Sequence, residues 1–79
     1  MRVEYWNYRV THESETVGGE SFDTYEIRRV YYTADGHGSI WASDAASPYG
    51  ETPQELAGNL AAMVEALSRP VFELDVVRP

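Results

Sequence analysis

The residues able to do chemistry in this chain are few, and their spacing matches no catalytic pattern. The two histidines, His12 and His37, both fall in stretches that read as loops. They lack the i, i+4 helical spacing of a zinc protease. With no cysteine in the chain, no thiolate can complete a structural zinc site. His37 and Asp35 belong to a glycine-rich turn, which explains both residue types. None of Ser14, Ser21, Ser39, Ser43, Ser47 and Ser68 lies in a Gly-x-Ser-x-Gly elbow. Glu26, Asp44, Glu73 and Asp75 fall on strand-like segments, where paired carboxylates can serve acid and base work or hold Mg²⁺. On strands with alternating apolar residues, however, such carboxylates belong to the solvated face.

The charge and aromatic patterns carry more. Thirteen Asp and Glu stand against six Arg, with no Lys, for a net charge of −7. This excludes Schiff-base chemistry and a phosphate-loop lysine. It opposes nucleic-acid binding and can steer toward a basic protein partner, although the solubility of a small protein already accounts for an acidic surface. Arg28-Arg29 is the one adjacent cationic pair. Beside Tyr25, Tyr31 and Tyr32 it has the residue types of a base-stacking sheet, but the net charge argues against RNA. Cross-strand pairing with Glu4, Glu26 or Asp44, or docking of an acidic residue of a partner, accounts for it instead. Tyr5, Trp6, Tyr8, Tyr31, Tyr32 and Trp41 are more rings than one sheet face can bury under a single helix. Some must lie on the opposite face, where exposed aromatics mark interaction surfaces. The candidate binding residues are therefore Trp6, Tyr8, Arg28, Arg29, Tyr31, Tyr32 and Trp41. No catalytic residue, metal ligand or cofactor is assigned.

The elements that must position these residues follow from periodicity. Residues 3–11 alternate, with Tyr5 and Asn7 on one side and Trp6, Tyr8 and Val10 on the other, as a strand does. Residues 12–21, polar and containing Gly18-Gly19, read as a mobile hairpin connection. Residues 22–33 form a second strand, in which Tyr25 and Ile27 share one parity and Val30 and Tyr32 the other. A β-bulge near Arg28-Arg29 would bring both pairs to one core. Residues 34–38 give an Asp-Gly turn, residues 39–44 a third strand with Ile40 and Trp41, and residues 45–51 a connection kinked by Pro48.

Thr52, Pro53 and Glu55 then announce a helix by a capping box and a first-turn proline. It runs over residues 53–68, with Leu56, Leu60, Met63, Val64 and Leu67 as one apolar stripe meant for the sheet. Ala57, Ala61, Ala62 and Ala66 flank that stripe. Gly58 weakens the helix; Pro70 ends it, with Arg69 complementing its negative end. Residues 71–77 alternate again as a fourth strand. The expected fold is α+β: a four-stranded, mainly antiparallel sheet with one helix on one face, in the order β-β-β-α-β. Residues 1–79 make a single domain, small enough that self-association is a natural supplement to its core.

The helix start Gly50-Glu51-Thr52-Pro53-Gln54-Glu55-Leu56, leading into Leu60 and Met63 after a third strand, resembles the HicB-type antitoxin domain. The chain is also similar to small uncharacterised bacterial and phage proteins with Trp41, Pro48 and Pro70-Val71 at like spacing. The Pro-x-x-Pro-Gly-Cys-like stretch usual in HicB-type strands is missing, and no DNA-binding segment follows in this sequence. The resemblance thus implies the fold and sequestration of a protein partner, not operator binding.

The functional expectation is a small acidic, non-enzymatic protein-binding or regulatory protein: an inhibitor, antitoxin-like or phage accessory factor. It would act through an aromatic sheet face or an edge strand. The alternatives are a small metal-dependent hydrolase using Asp44, Glu26 and His37, and a homodimer with no other partner. No secretory signal or membrane-spanning run is read, so a cytoplasmic, membrane-free protein is expected.

Overall fold

A computed structural model describes residues 3–34 and 39–74. The order is β1 (Val3–Val17), β2 (Glu20–Thr33), β3 (Ser39–Trp41), α1 (Pro53–Glu65), a single 3₁₀ turn (Ala66–Ser68) and β4 (Phe72–Glu73). Together they make a four-stranded mixed sheet in the spatial order β3-β2-β1-β4, with one helix, an α+β fold in the expected element order. The β1–β2 and β2–β3 pairs are antiparallel, whereas β4 runs parallel to β1 through Thr11↔Phe72 and His12↔Glu73. A parallel neighbour needs a crossover connection, and α1 supplies it.

Two corrections concern the hairpin. The expected loop over residues 12–21 is strand almost throughout. Only Gly18 and Gly19 turn, at φ of 59° and 84°, and positive φ at both central positions suits a two-residue hairpin. Polar residues can continue a strand when both faces meet water, so composition alone misplaces this boundary. Second, there is no bulge at Arg28-Arg29. The register runs uninterrupted from Tyr5↔Tyr32 to Val17↔Glu20, and its one shift lies between Val3 and Tyr5. Tyr25 and Ile27 therefore face one side and Val30 and Tyr32 the other. No bulge is needed because each face of the sheet has its own cover.

On one face sit Trp6, Tyr8, Val10 and His12 with Tyr31, Arg29, Ile27 and Tyr25 opposite them. Here α1 and the 3₁₀ turn pack, making a core of Tyr8, Met63 and Ala66 flanked by Val10, Ile27, Ala46 and Ala62. On the other face sit Tyr5, Asn7, Arg9 and Thr11 with Tyr32, Val30, Arg28 and Glu26. Trp41 and Phe72 close over this second face from the two edge strands, their ring centroids 5.8 Å apart. Val30 and Thr11 are fully buried on this face.

The helix starts as its residues dictate. Thr52 Oγ1 accepts from Glu55 N at 3.1 Å, Pro53 opens the first turn, and the Glu55 carboxylate accepts from Glu51 N at 3.3 Å. Its rotation about its own axis is the third correction. The sheet-facing residues are Asn59, Ala62, Met63 and Ala66, at i, i+3, i+4 and i+7, rather than the leucine stripe. Small Ala62 and Ala66 let the backbone approach, and Asn59 Nδ2 donates to the Tyr8 hydroxyl at 3.0 Å. Of the expected stripe only Met63 is buried.

The third strand is shorter than expected, ending at Trp41, but the chain beyond it still follows β2. Ala42 N donates to Arg29 O at 3.0 Å and Ala46 N to Ile27 O at 2.7 Å. The fourth strand is likewise short, with Leu74 N donating to His12 O at 3.0 Å. The turn read over residues 35–38, and the part of the fourth strand read over residues 75–77, lie outside the described residues. Among the described residues no third strand pairs with residues 13–24.

Candidate docking surface on the helix side

Rotation of α1 leaves an apolar surface uncovered. Leu56, Leu60, Val64 and Leu67 are 36%, 43%, 61% and 70% exposed. They fall at i, i+4, i+8 and i+11, a single line along the helix. Beside that line Leu60, Met63, Val64 and Leu67 face Ile27 of β2 and Ala45, Ala46 and Pro48 of the β3–α1 connection, with Glu26 at the margin. Together they enclose an open groove of about 410 Å³. Its walls are held at one end by Tyr49 N donating to Asn59 Oδ1 at 2.8 Å, and along β2 by the Ala46–Ile27 bond.

The seven candidate binding residues divide between the two faces. Trp6, Tyr8, Arg29 and Tyr31 lie on the helix side. Tyr8 is core, fixed by Asn59. Trp6 remains about half exposed beyond the reach of the helix, edge-on to Tyr8 at 5.2 Å, with the Arg29 guanidinium 5.4 Å from its ring centre. The phenols of Tyr8 and Tyr31 favour the charged form of Arg29.

Arg28, Tyr32 and Trp41 lie on the opposite side. Arg28 is only 7% exposed and holds the chain after β3 through Nη1 to the Ala42 and Ser43 carbonyls, at 3.2 and 2.7 Å. Its Nη2 meets Glu26 Oε1 at 3.0 Å, while its buried Nε has no partner among the described residues. Tyr32 donates to Asn7 Oδ1, accepts from Arg9 Nη1 and stacks on Tyr5 at 4.6 Å. Rings do lie on both faces, as their number required, but they make two clusters rather than one patch.

The carboxylates read as candidate chemistry are also separated. Glu26 is tied to Arg28, whereas Asp44 borders a second hollow, of about 260 Å³, lined by Arg29 and residues 42–47. Among the described residues no group of three His, Asp or Glu could hold a metal ion. His37 and Asp75 lie outside the described residues.

His12 is placed differently from its sequence reading, on β1 rather than in a loop. Its Nδ1 meets Glu73 Oε1 at 2.7 Å and its Nε2 meets Asp23 Oδ1 at 2.8 Å, while Tyr25 stacks on the ring at 4.7 Å. Glu73 first and then Asp23 raise His12 above its ordinary 6.5, and Asp23 is lowered in return, chiefly by His12 and then by Ser14. Ser14 donates to Asp23 at 2.8 Å, not to His12. With both ring nitrogens occupied by carboxylates, this Ser-Asp-His chain lacks the hydroxyl-to-imidazole bond of a nucleophilic triad. Its product is a bracket holding β4 to the hairpin.

No protein-family model matches the chain, and no curated protein or solved structure matches it either. Among the described residues no helix is long and apolar enough to cross a membrane.

Two features escape a reading of the sequence. The bracket is hidden when residues 12–21 are taken as a loop; closing the hairpin at Gly18-Gly19 aligns His12 with Tyr25 and Ser14 with Asp23. The exposed stripe has no local signal, because an apolar stripe looks the same whether its own sheet or another molecule covers it.

Proposed function

We propose that this chain is a small acidic, non-enzymatic protein-binding module of the inhibitor or antitoxin-like regulatory kind, and that it engages its partner on the helix side. The observation that carries this reading is the exposed line Leu56, Leu60, Val64 and Leu67, the last three of which line a groove with Ile27, Ala45, Ala46 and Pro48. Scattered exposed apolar residues are ordinary, whereas a contiguous apolar patch bordered by polar groups marks an interaction site. Trp6 and Arg29, residue types enriched at binding hot spots, extend the same face. The HicB-type helix start is in keeping with sequestration of a protein partner.

The test is retention of a host protein on the immobilised chain, with Leu60→Glu as the matched control. A specific protein held by the original chain and lost with Leu60→Glu supports the reading. If no retained protein depends on Leu60, the reading fails.

A further inference from the structure

We propose that the groove beside α1 accepts a basic amphipathic helix of a partner protein; this rests on the protein-binding reading and names the chemistry of what binds. The shape argument comes first. Exposed Leu60, Val64 and Leu67 rise as a ridge on one wall, Ala45, Ala46 and Pro48 form the other, and exposed Leu56 continues the ridge beyond the groove. The stripe covers 11 residue steps, roughly 16 Å at the helical rise, enough for about three turns of a second helix alongside. Ridges at i, i+4 spacing suit packing of a helix, which presents its own apolar residues at that period.

Charge then decides which helix. From Ser39 to Ser68, the segment that builds both walls, the chain carries Asp44, Glu51, Glu55 and Glu65 and not one Arg, Lys or His. Glu26 also lines the groove from β2, but its carboxylate is paired with Arg28 at 3.0 Å on the opposite face and is not counted with these four. Glu65 has Arg69 at 3.6 Å but is widely exposed. An apolar groove whose two walls come from a segment with four carboxylates and no cation is complementary to apolar side chains flanked by Lys or Arg. The same charge opposes a second copy of this chain, because pairing the two segments face to face brings like charges together, and salt screens them only beyond a Debye length of about 10 Å at 0.1 M. An acidic or neutral helix gains the apolar contact but not the electrostatic one.

The probe is a synthetic Leu/Lys amphipathic helical peptide of about 14 residues, long enough to cover the groove, labelled and titrated against the full chain by fluorescence anisotropy. A Leu/Glu peptide of identical pattern is the comparison. The Leu/Lys peptide is expected to bind and to weaken roughly tenfold between low and high salt, while the Leu/Glu peptide binds at least about tenfold less tightly. Leu60→Glu and, independently, Val64→Glu should each reduce binding about tenfold or more. Both variants make the protein more acidic, so adsorption by charge alone would strengthen where groove binding is lost. Thr16→Glu, which adds the same charge on the distant hairpin ribbon, should leave binding unchanged.

Equal binding of the two peptides overturns the proposal, and so does full binding by Leu60→Glu or Val64→Glu that remain folded by circular dichroism. A wild-type dimer by light scattering that Leu60→Glu splits also overturns it, since the occupant is then a second copy. A host partner that needs Leu60 but contacts the groove through an acidic or neutral segment defeats this inference alone. Failure to find any Leu60-dependent partner defeats the underlying reading instead.

Discussion

Trp41 and Phe72 touch across the sheet, 5.8 Å between ring centres, although two whole strands separate the edges that carry them. Neighbouring strands lie about 4.8 Å apart, so edge to edge is roughly 14 Å, and the two side chains must reach inward to meet. Beneath them Val30 and Thr11 are sealed from water, and Arg9 adds its guanidinium 5.5 Å from the Phe72 ring centre. This ring pair joins strands of two and three residues to a hairpin that would otherwise lack a cover on that side.

Trp41→Ala and Phe72→Ala are each expected to destabilise the protein by about 2–3 kcal/mol, somewhat below a fully buried ring because both are half-exposed. In the double variant the losses should fall short of additive by about 0.5–1.5 kcal/mol, the ring-pair coupling. Urea unfolding of the four species measures it. Strict additivity would mean the rings act separately.

The neighbouring arginines should behave unlike each other. Arg28→Ala removes a buried guanidinium that satisfies the Ala42 and Ser43 carbonyls, and should cost about 2–4 kcal/mol. Arg29→Ala, on an exposed side chain stacked near Trp6, should cost no more than about 1 kcal/mol. Thermal melts of the two variants side by side decide this, and equal shifts would contradict the assignment of structural and surface roles.

The His12 bracket makes docking of β4 depend on pH. His12 is raised above 6.5 by Glu73 and Asp23, so its contribution is complete below 6.5 and is lost as pH rises through the raised value. Asp23 is lowered from 3.8, so its contribution holds above 3.8 and is lost as pH falls through the lowered value. The strand is therefore held best between about pH 4 and 6.5. Protection of the Leu74 amide, which bonds His12 O, should fall on the alkaline side of this window. In Glu73→Gln the His12 ring should titrate closer to its ordinary value, as followed by proton NMR. An unchanged titration would remove Glu73 as the main cause.

Two glycines flanking the helix start should respond with opposite signs. Gly58 has open space where a Cβ would stand, so Gly58→Ala should stabilise by about 1 kcal/mol through helix propensity. At Gly50 a Cβ would collide with the backbone of Glu55 and Leu56, and Gly50→Ala should destabilise by about 1–3 kcal/mol. Melting temperatures moving the same way in both would contradict the close approach at Gly50.

Short-range physics accounts for everything in this fold that is legible in the chain alone. Thr52, Pro53 and Glu55 start a helix because the groups that satisfy its first turn lie within four residues. The alternation of Tyr5 to Val10 makes a strand for the same local reason, and one helix between the third and fourth strands sets the α+β class. Tertiary structure decides the rest, because it turns on which surfaces meet. The parity change between Ile27 and Val30 suggests a bulge only while one face alone is assumed to be covered; Trp41 and Phe72, 31 positions apart and on opposite edges, cover the other. The helix turns Met63 and Ala66 inward, not Leu60 and Val64, because small side chains and the Asn59–Tyr8 bond permit closer packing than leucines do. That rotation, invisible in the helix's own periodicity, is what leaves an apolar groove open along the helix.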